Sequence, residues 1–130
     1  MNKDFHIKYW METSENDWKS AKILFEGKQF VFCLFTRHLV IEKLLKAHWV
    51  KDNDENIPPR THNLLYICGQ TTLNLIQEDL EFLREMTNWN IEGRYPDYQR
   101  KFYKVCTFDY TKTNLEEVNR LRECLLQKML

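Results

Sequence analysis

One stretch constrains this chain more than any other: Phe30 to Val50, FVFCLFTRHLVIEKLLKAHWV. Fourteen of its 21 residues are apolar, and neither Gly nor Pro interrupts it. At helical spacing the apolar side chains do not form one stripe. Phe30, Leu34, Ile41 and Leu45 fall on one side, and Val31, Phe35, Leu39 and Trp49 on another. A helix apolar on several sides must be covered on several sides, by its own bundle or by a second subunit. Charge interrupts it too often for a membrane span, which needs about 18 apolar residues in succession. The stretch therefore reads as the central helix of a small helical bundle.

The rest of the chain agrees. At 130 residues a single domain over 1–130 is expected, and 43 % hydrophobic residues supply a core without disulfides. Three Gly and three Pro are too few for the turns of an all-β fold. Nineteen basic residues balance nineteen acidic ones, which argues against non-specific binding to a nucleic-acid backbone but leaves room for a local basic site. Cys33, Cys68, Cys106 and Cys124 are widely spaced, so reduced, packed thiols are expected and no metal site. The N-terminal residues have no apolar signal core, and a cytoplasmic protein is the expectation.

Taken in order, apolar positions from Lys8 to Glu26 recur at helical spacing, with Thr13 or Ser14 as the expected cap and Gly27 as the left-handed terminator. The two-residue link Lys28-Gln29 makes the first two helices antiparallel neighbours. KDNDENIPPR is a surface loop closed by Pro58-Pro59. A short helix is expected from Thr61 to about Cys68, and a fourth through Leu75, Leu80, Leu83 and Met86. Glu92 to Asp109 reads as an irregular, aromatic-rich loop, broken at Gly93 and Pro96. A last helix should start at Thr113 or Asn114 with a capping box ending at Glu116. The fold class is thus all-α, an up-and-down bundle of four to five helices.

Three constellations bear on chemistry. His38, Glu42 and Lys46 form a polar ladder at four-residue steps, either a solvated stripe or a polar seam, with Lys43 able to reach either side. In Arg60-Thr61-His62-Asn63, His62 can cap a helix, bind phosphate, catalyse, or hold the loop against a neighbouring turn. RYPDYQRK, Arg94 to Lys101, combines cations with Tyr95 and Tyr98, the chemistry of phosphate and base binding. Acidic neighbours, Asp97 among them, offset most of that charge, and Arg94 paired to Asp97 or Glu42 is the structural alternative. No Gly-rich phosphate loop and no G-x-S-x-G motif is present.

The order ENDWKSAKILFEGKQF, VIEKLLKAHW, PPRTHNLLYI and RYPD, spread from about Trp10 to Leu126, resembles the HEPN family (higher eukaryotes and prokaryotes nucleotide-binding), in a subgroup carrying RYPD. The resemblance implies a helical homodimer that binds a nucleotide or nucleic acid. It also implies a minimal nucleotidyltransferase as partner in a toxin–antitoxin type of system. The ribonuclease branch of the family carries Arg followed by four to six residues and then His. Here the positions after Arg94 hold Gln99, Arg100 and Lys101, so the sequence departs from that pattern and no catalytic residue is assigned.

The residues matching the subgroup are Glu42, Lys43, Lys46, His62, Asn63, Arg94, Tyr95 and Asp97. They are expected to gather near a dimer seam. Arg94 and Lys46 would hold phosphate, Tyr95 or Tyr98 would stack on a base, and Glu42 and Asp97 would orient the cations. No cofactor is implied. Three readings stay open: a dimeric binding module for nucleotides or for a nucleotidyltransferase partner, a metal-independent RNA-cleaving toxin in which His62 substitutes spatially, and a non-catalytic interaction module in which Arg94–Asp97 is a folding latch.

Overall fold

A computed structural model describes residues 2–130, with backbone alone for Pro96. It is all-α, with six helices and no strand among the described residues: α1 (Lys3–Glu26), α2 (Phe30–Asp52), α3 (Leu64–Gly69), α4 (Gln77–Arg94), α5 (Pro96–Val105) and α6 (Phe108–Met129). Among the described residues, no helix is long and apolar enough to cross a membrane.

The hydrophobic stretch forms α2, and fifteen of its 23 residues are buried. It touches each of the other five helices. An apolar surface of this breadth is stabilised by roughly 25 cal/mol per Å² removed from water, so the bundle closes around it on all sides. The pairing of α1 with α2 is antiparallel, as the short link requires. Lys3 Nζ donates to Val50 O (2.6 Å) at one end, and Cys33 Sγ donates to Ala21 O (3.3 Å) near the other. Where α1, α2 and α6 meet, the Trp18 ring takes the guanidinium of Arg37 at 3.9 Å and that of Arg122 at 4.4 Å.

Several boundaries differ from the sequence reading, each for a local reason. α1 begins at Lys3, ten residues before Thr13, because Asn2 caps it by accepting from Phe5 N (2.8 Å). Ser14 lies mid-helix and donates instead to Val40 O across the buried α1–α2 interface (2.9 Å). At the C-terminus of α1 the left-handed residue is Lys28 (φ 60°), one position past Gly27. Lys28 N donates to Phe25 O (3.0 Å) and Gln29 N to Leu24 O (2.8 Å), closing the turn as a Schellman motif.

α3 starts at Leu64 rather than Thr61, capped by the Asn63 side chain, which accepts from Tyr66 N (3.2 Å). The largest difference is the segment expected to be irregular. α4 runs on to Arg94, and Pro96 opens α5 at the first helical position, where its missing N–H costs nothing. Gly93 does not break α4 because α2 packs on it: a Cβ there would meet Phe35 at 3.1 Å. Thr107 caps α6, accepting from Tyr110 N (3.1 Å), so the supposed capping box at Thr113 lies inside the helix. The helix count therefore rises to six.

Of the clustered aromatics, Trp89 and Phe102 are core residues, while Tyr95, Tyr98 and Tyr103 are exposed. All four cysteines are free, and Cys33, Cys68 and Cys106 are buried. Burial pushes the thiol of Cys33 up to about 11 and that of Cys106 up to about 12.

Candidate functional site

The site grows from the polar ladder of α2. Glu42 sits in the helical interior of the bundle with only 4 % of its surface exposed, where an uncompensated carboxylate would be very costly. Both its oxygens are engaged. Oε2 accepts from Lys46 Nζ one turn on (3.1 Å), and Oε1 accepts from His62 Nδ1 (2.7 Å). The Lys46 ammonium lies 5.3 Å from the Trp10 ring centroid, so α1 completes its surroundings. His38, fully buried one turn before Glu42, donates from Nε2 to the carbonyl of His62 (3.1 Å). Burial above all holds its imidazole neutral, down to about 4. The loop after Pro58-Pro59 is thus tied to α2 twice, through the ring of His62 and through its backbone.

Arg94, the last residue of α4, closes the chain of contacts. Its Nη2 lies 3.2 Å from His62 Nε2. A guanidinium can only donate, so Nε2 accepts and the His62 proton sits on Nδ1, facing Glu42. Behind it, the Arg94 guanidinium carbon is 5.9 Å from the Phe35 ring centroid, and Gln99 Nε2 donates to Gly93 O (2.6 Å), tying α5 to the end of α4. The close approach of α4 to α2 at Gly93 is what brings Arg94 within reach of the loop. His62 has 45 % of its side chain exposed, and Arg94 is exposed as well. One carboxylate against two permanent cations leaves the cluster a net positive charge facing solvent.

The structure therefore gathers Glu42, Lys46, His62 and Arg94 into one connected set. Other expected site residues go elsewhere. Lys43 turns to α1 and pairs with Asp17 (2.6 Å). Asn63 is occupied capping α3. Tyr95 and Tyr98 are about half exposed at the start of α5. Asp97 is exposed and makes no ion pair among the described residues, and Arg94 bonds His62 rather than Asp97 or Glu42. The ammonium of Lys46 is spent on Glu42, and the Lys46 side chain is only 10 % exposed. The neutral His38 and the Phe35 seat beneath Arg94 were missing from the sequence-derived set. His38 was visible as the first rung of the ladder; Phe35 carried no signal beyond apolarity. No cluster of potential metal ligands occurs among the described residues.

A family model described as HEPN domain matches residues 7–129. The chain belongs to the HEPN family. No curated protein and no solved structure matches it. In this HEPN domain no histidine follows Arg94 at four to six residues, and the histidine beside Arg94 is His62, 32 positions earlier in the chain. An arginine beside an oriented, partly exposed imidazole can bind a phosphate, and the imidazole can also exchange a proton with a group attached to it.

Proposed function

We propose that this HEPN domain binds the phosphate of a nucleotide or nucleic acid at Arg94 and His62. The observation that carries the reading is the Arg94–His62–Glu42 chain: an exposed guanidinium bonded to an imidazole that a buried carboxylate holds in one orientation. A phosphate entering there takes two donors from the guanidinium fork and releases His62 Nε2 from it. Tyr95 and Tyr98 offer exposed rings for a base nearby in sequence. The test is calorimetry with AMP and with a short single-stranded RNA. Arg94→Ala is expected to weaken both by at least about tenfold, since charge-assisted hydrogen bonds contribute roughly 1.5–3 kcal/mol, with helicity unchanged by circular dichroism. Unchanged affinity would leave Arg94 and His62 as a folding latch.

A second reading, metal-independent RNA cleavage, is supported by the tautomer of His62. With Nδ1–H held by Glu42, Nε2 is the basic atom on the exposed side. It would take the proton of a ribose 2′-hydroxyl as that oxygen attacks phosphorus. Arg94 would neutralise the charge gathering on the non-bridging oxygens, and water would protonate the departing 5′-oxygen. Labelled RNA incubated in chelator separates the readings. Cleavage that disappears in His62→Ala supports it, and cleavage no greater than that of Arg94→Ala removes it.

Homodimerisation, a minimal nucleotidyltransferase partner in a toxin–antitoxin pair, and membership of the RYPD subgroup are proposals resting on family resemblance. Exposed Ile91 and Tyr95, one turn apart and flanking Arg94, support a subunit boundary there. Four free cysteines fit the proposed cytoplasmic location. Light scattering of the purified chain, and co-purification with a co-expressed neighbour gene product, test the first two.

A further inference from the structure

α5 and the start of α2 enclose a half-open cleft of about 850 Å³, within the range of ligand sites. Lys28, Arg100 and Lys104 line it together with Phe32 and Tyr103, and among the described residues no acidic one does. None of the three cations forms an ion pair among the described residues. The Phe32 and Tyr103 rings are 48 % and 76 % exposed. Three unpaired cations around one cleft repel each other and raise the local affinity for an anion. Exposed ring faces beside them suit a flat partner.

The cleft shares two elements with the site described above, α2 and the junction of α4 with α5. On α2, Phe32 in the cleft is followed one turn on by Phe35 beneath Arg94, then by His38 and Glu42. On the other wall, Gln99 lines the cleft and also donates to Gly93 O, next to Arg94. At 1.5 Å per residue, Phe32 and His38 are separated by roughly 9 Å along the helix axis. A strand with its bases unstacked advances further per nucleotide than the roughly 3.4 Å of a stacked one, so fewer than three nucleotides span that distance.

We propose that this cleft is a second phosphate-and-base subsite for the ligand held at Arg94 and His62, so that the ligand is a single-stranded polynucleotide laid along α2 and α5. The proposal rests on the reading of Arg94 and His62 as a phosphate site. Arg100, Lys104 and Lys28 take backbone phosphates, and Tyr103 and Phe32 take unstacked bases. A duplex hides its base faces and cannot use those rings.

Fluorescence anisotropy with labelled RNA and DNA octanucleotides across a salt series, alongside calorimetry with AMP, tests it. Arg100→Ala/Lys104→Ala is expected to weaken octanucleotide binding at least about tenfold and to reduce the logarithmic salt slope by about 1.4, two contacts at roughly 0.7 each. Tyr103→Ala weakens it with no change of slope. AMP binding is unchanged in all of these variants, whose altered side chains are surface groups, whereas Arg94→Ala weakens both ligands. The two nucleic acids distinguish ribose from deoxyribose strands, and tighter binding of either than of AMP supports the proposal. An unaltered octanucleotide affinity and slope in the double variant, with Arg94→Ala still defective, overturns the cleft. A silent Arg94→Ala instead overturns the Arg94–His62 reading, and the joined track with it.

Discussion

Glu42 is the side chain on which the candidate site turns, because it is the buried anion that ties the loop after Pro58-Pro59 to α2. Removing its charge leaves the Lys46 ammonium buried without a partner. Glu42→Gln is therefore expected to cost about 3–5 kcal/mol in denaturant unfolding. Adding Lys46→Met removes the stranded cation and should recover most of that loss. Affinity for AMP should stay low in the double variant, since His62 is then no longer held by a carboxylate. Recovery of both stability and binding would contradict an orienting role for Glu42. The thiols make a simpler case. Buried and raised in pKa, Cys33 and Cys106 should resist a thiol reagent at pH 8 in the native protein, while the half-buried Cys124 reacts first.

At the scale of elements, two glycine-sized decisions place the site. At Gly93, a methyl group would meet Phe35 Cβ and Cδ2 at 3.1 Å, so α4 would have to back away from α2 by a few tenths of an ångström. Gly93→Ala gains helix propensity of about 0.5–1 kcal/mol against that crowding. Stability should change by less than about 1 kcal/mol, while AMP affinity falls as Arg94 moves off His62; paired thermal melts and calorimetry show which. The other decision is Lys28, which holds the left-handed position at the end of α1 without being glycine. Lys28→Gly should stabilise the protein by about 0.5–1 kcal/mol, read as a higher midpoint in urea.

These elements also show where the sequence was readable. α2 starts at Phe30, where the apolar run uninterrupted by Gly or Pro begins, because so long an apolar run must be buried. α5 was unreadable: Gly93 and Pro96 look like breakers to any local rule. Whether they break depends on Phe35 packing against one and on the chain starting a new helix at the other.

For the whole molecule, the interior sets a pH limit. His38 and His48 are both buried and both depressed, chiefly by burial; His38 falls to about 4 and donates to His62 O, and His48 bonds Leu125 O at 2.8 Å. A histidine whose pKa is lower folded than unfolded binds its proton more readily in the unfolded chain. The contribution is present above the unfolded value of about 6.5 and is lost as pH falls toward the folded value of about 4. For His38 alone the loss approaches roughly 3 kcal/mol at 1.36 kcal/mol per unit. Unfolding free energy from urea titrations should fall steadily between these limits. A profile flat through that window would mean that His38 is not the buried neutral group seen here.

By itself the sequence determined the helical class, the central position of α2 and the HEPN membership. All three follow from periodicity, composition and motif order, which are written along the chain. It also marked Glu42, Lys46, His62 and Arg94 as polar residues in search of partners. Only the tertiary structure decided which of them meet. A contact between Arg94 and His62 depends on how closely α4 approaches α2 and on where a tied-down loop returns, and those are properties of packing in three dimensions that no spacing of letters carries.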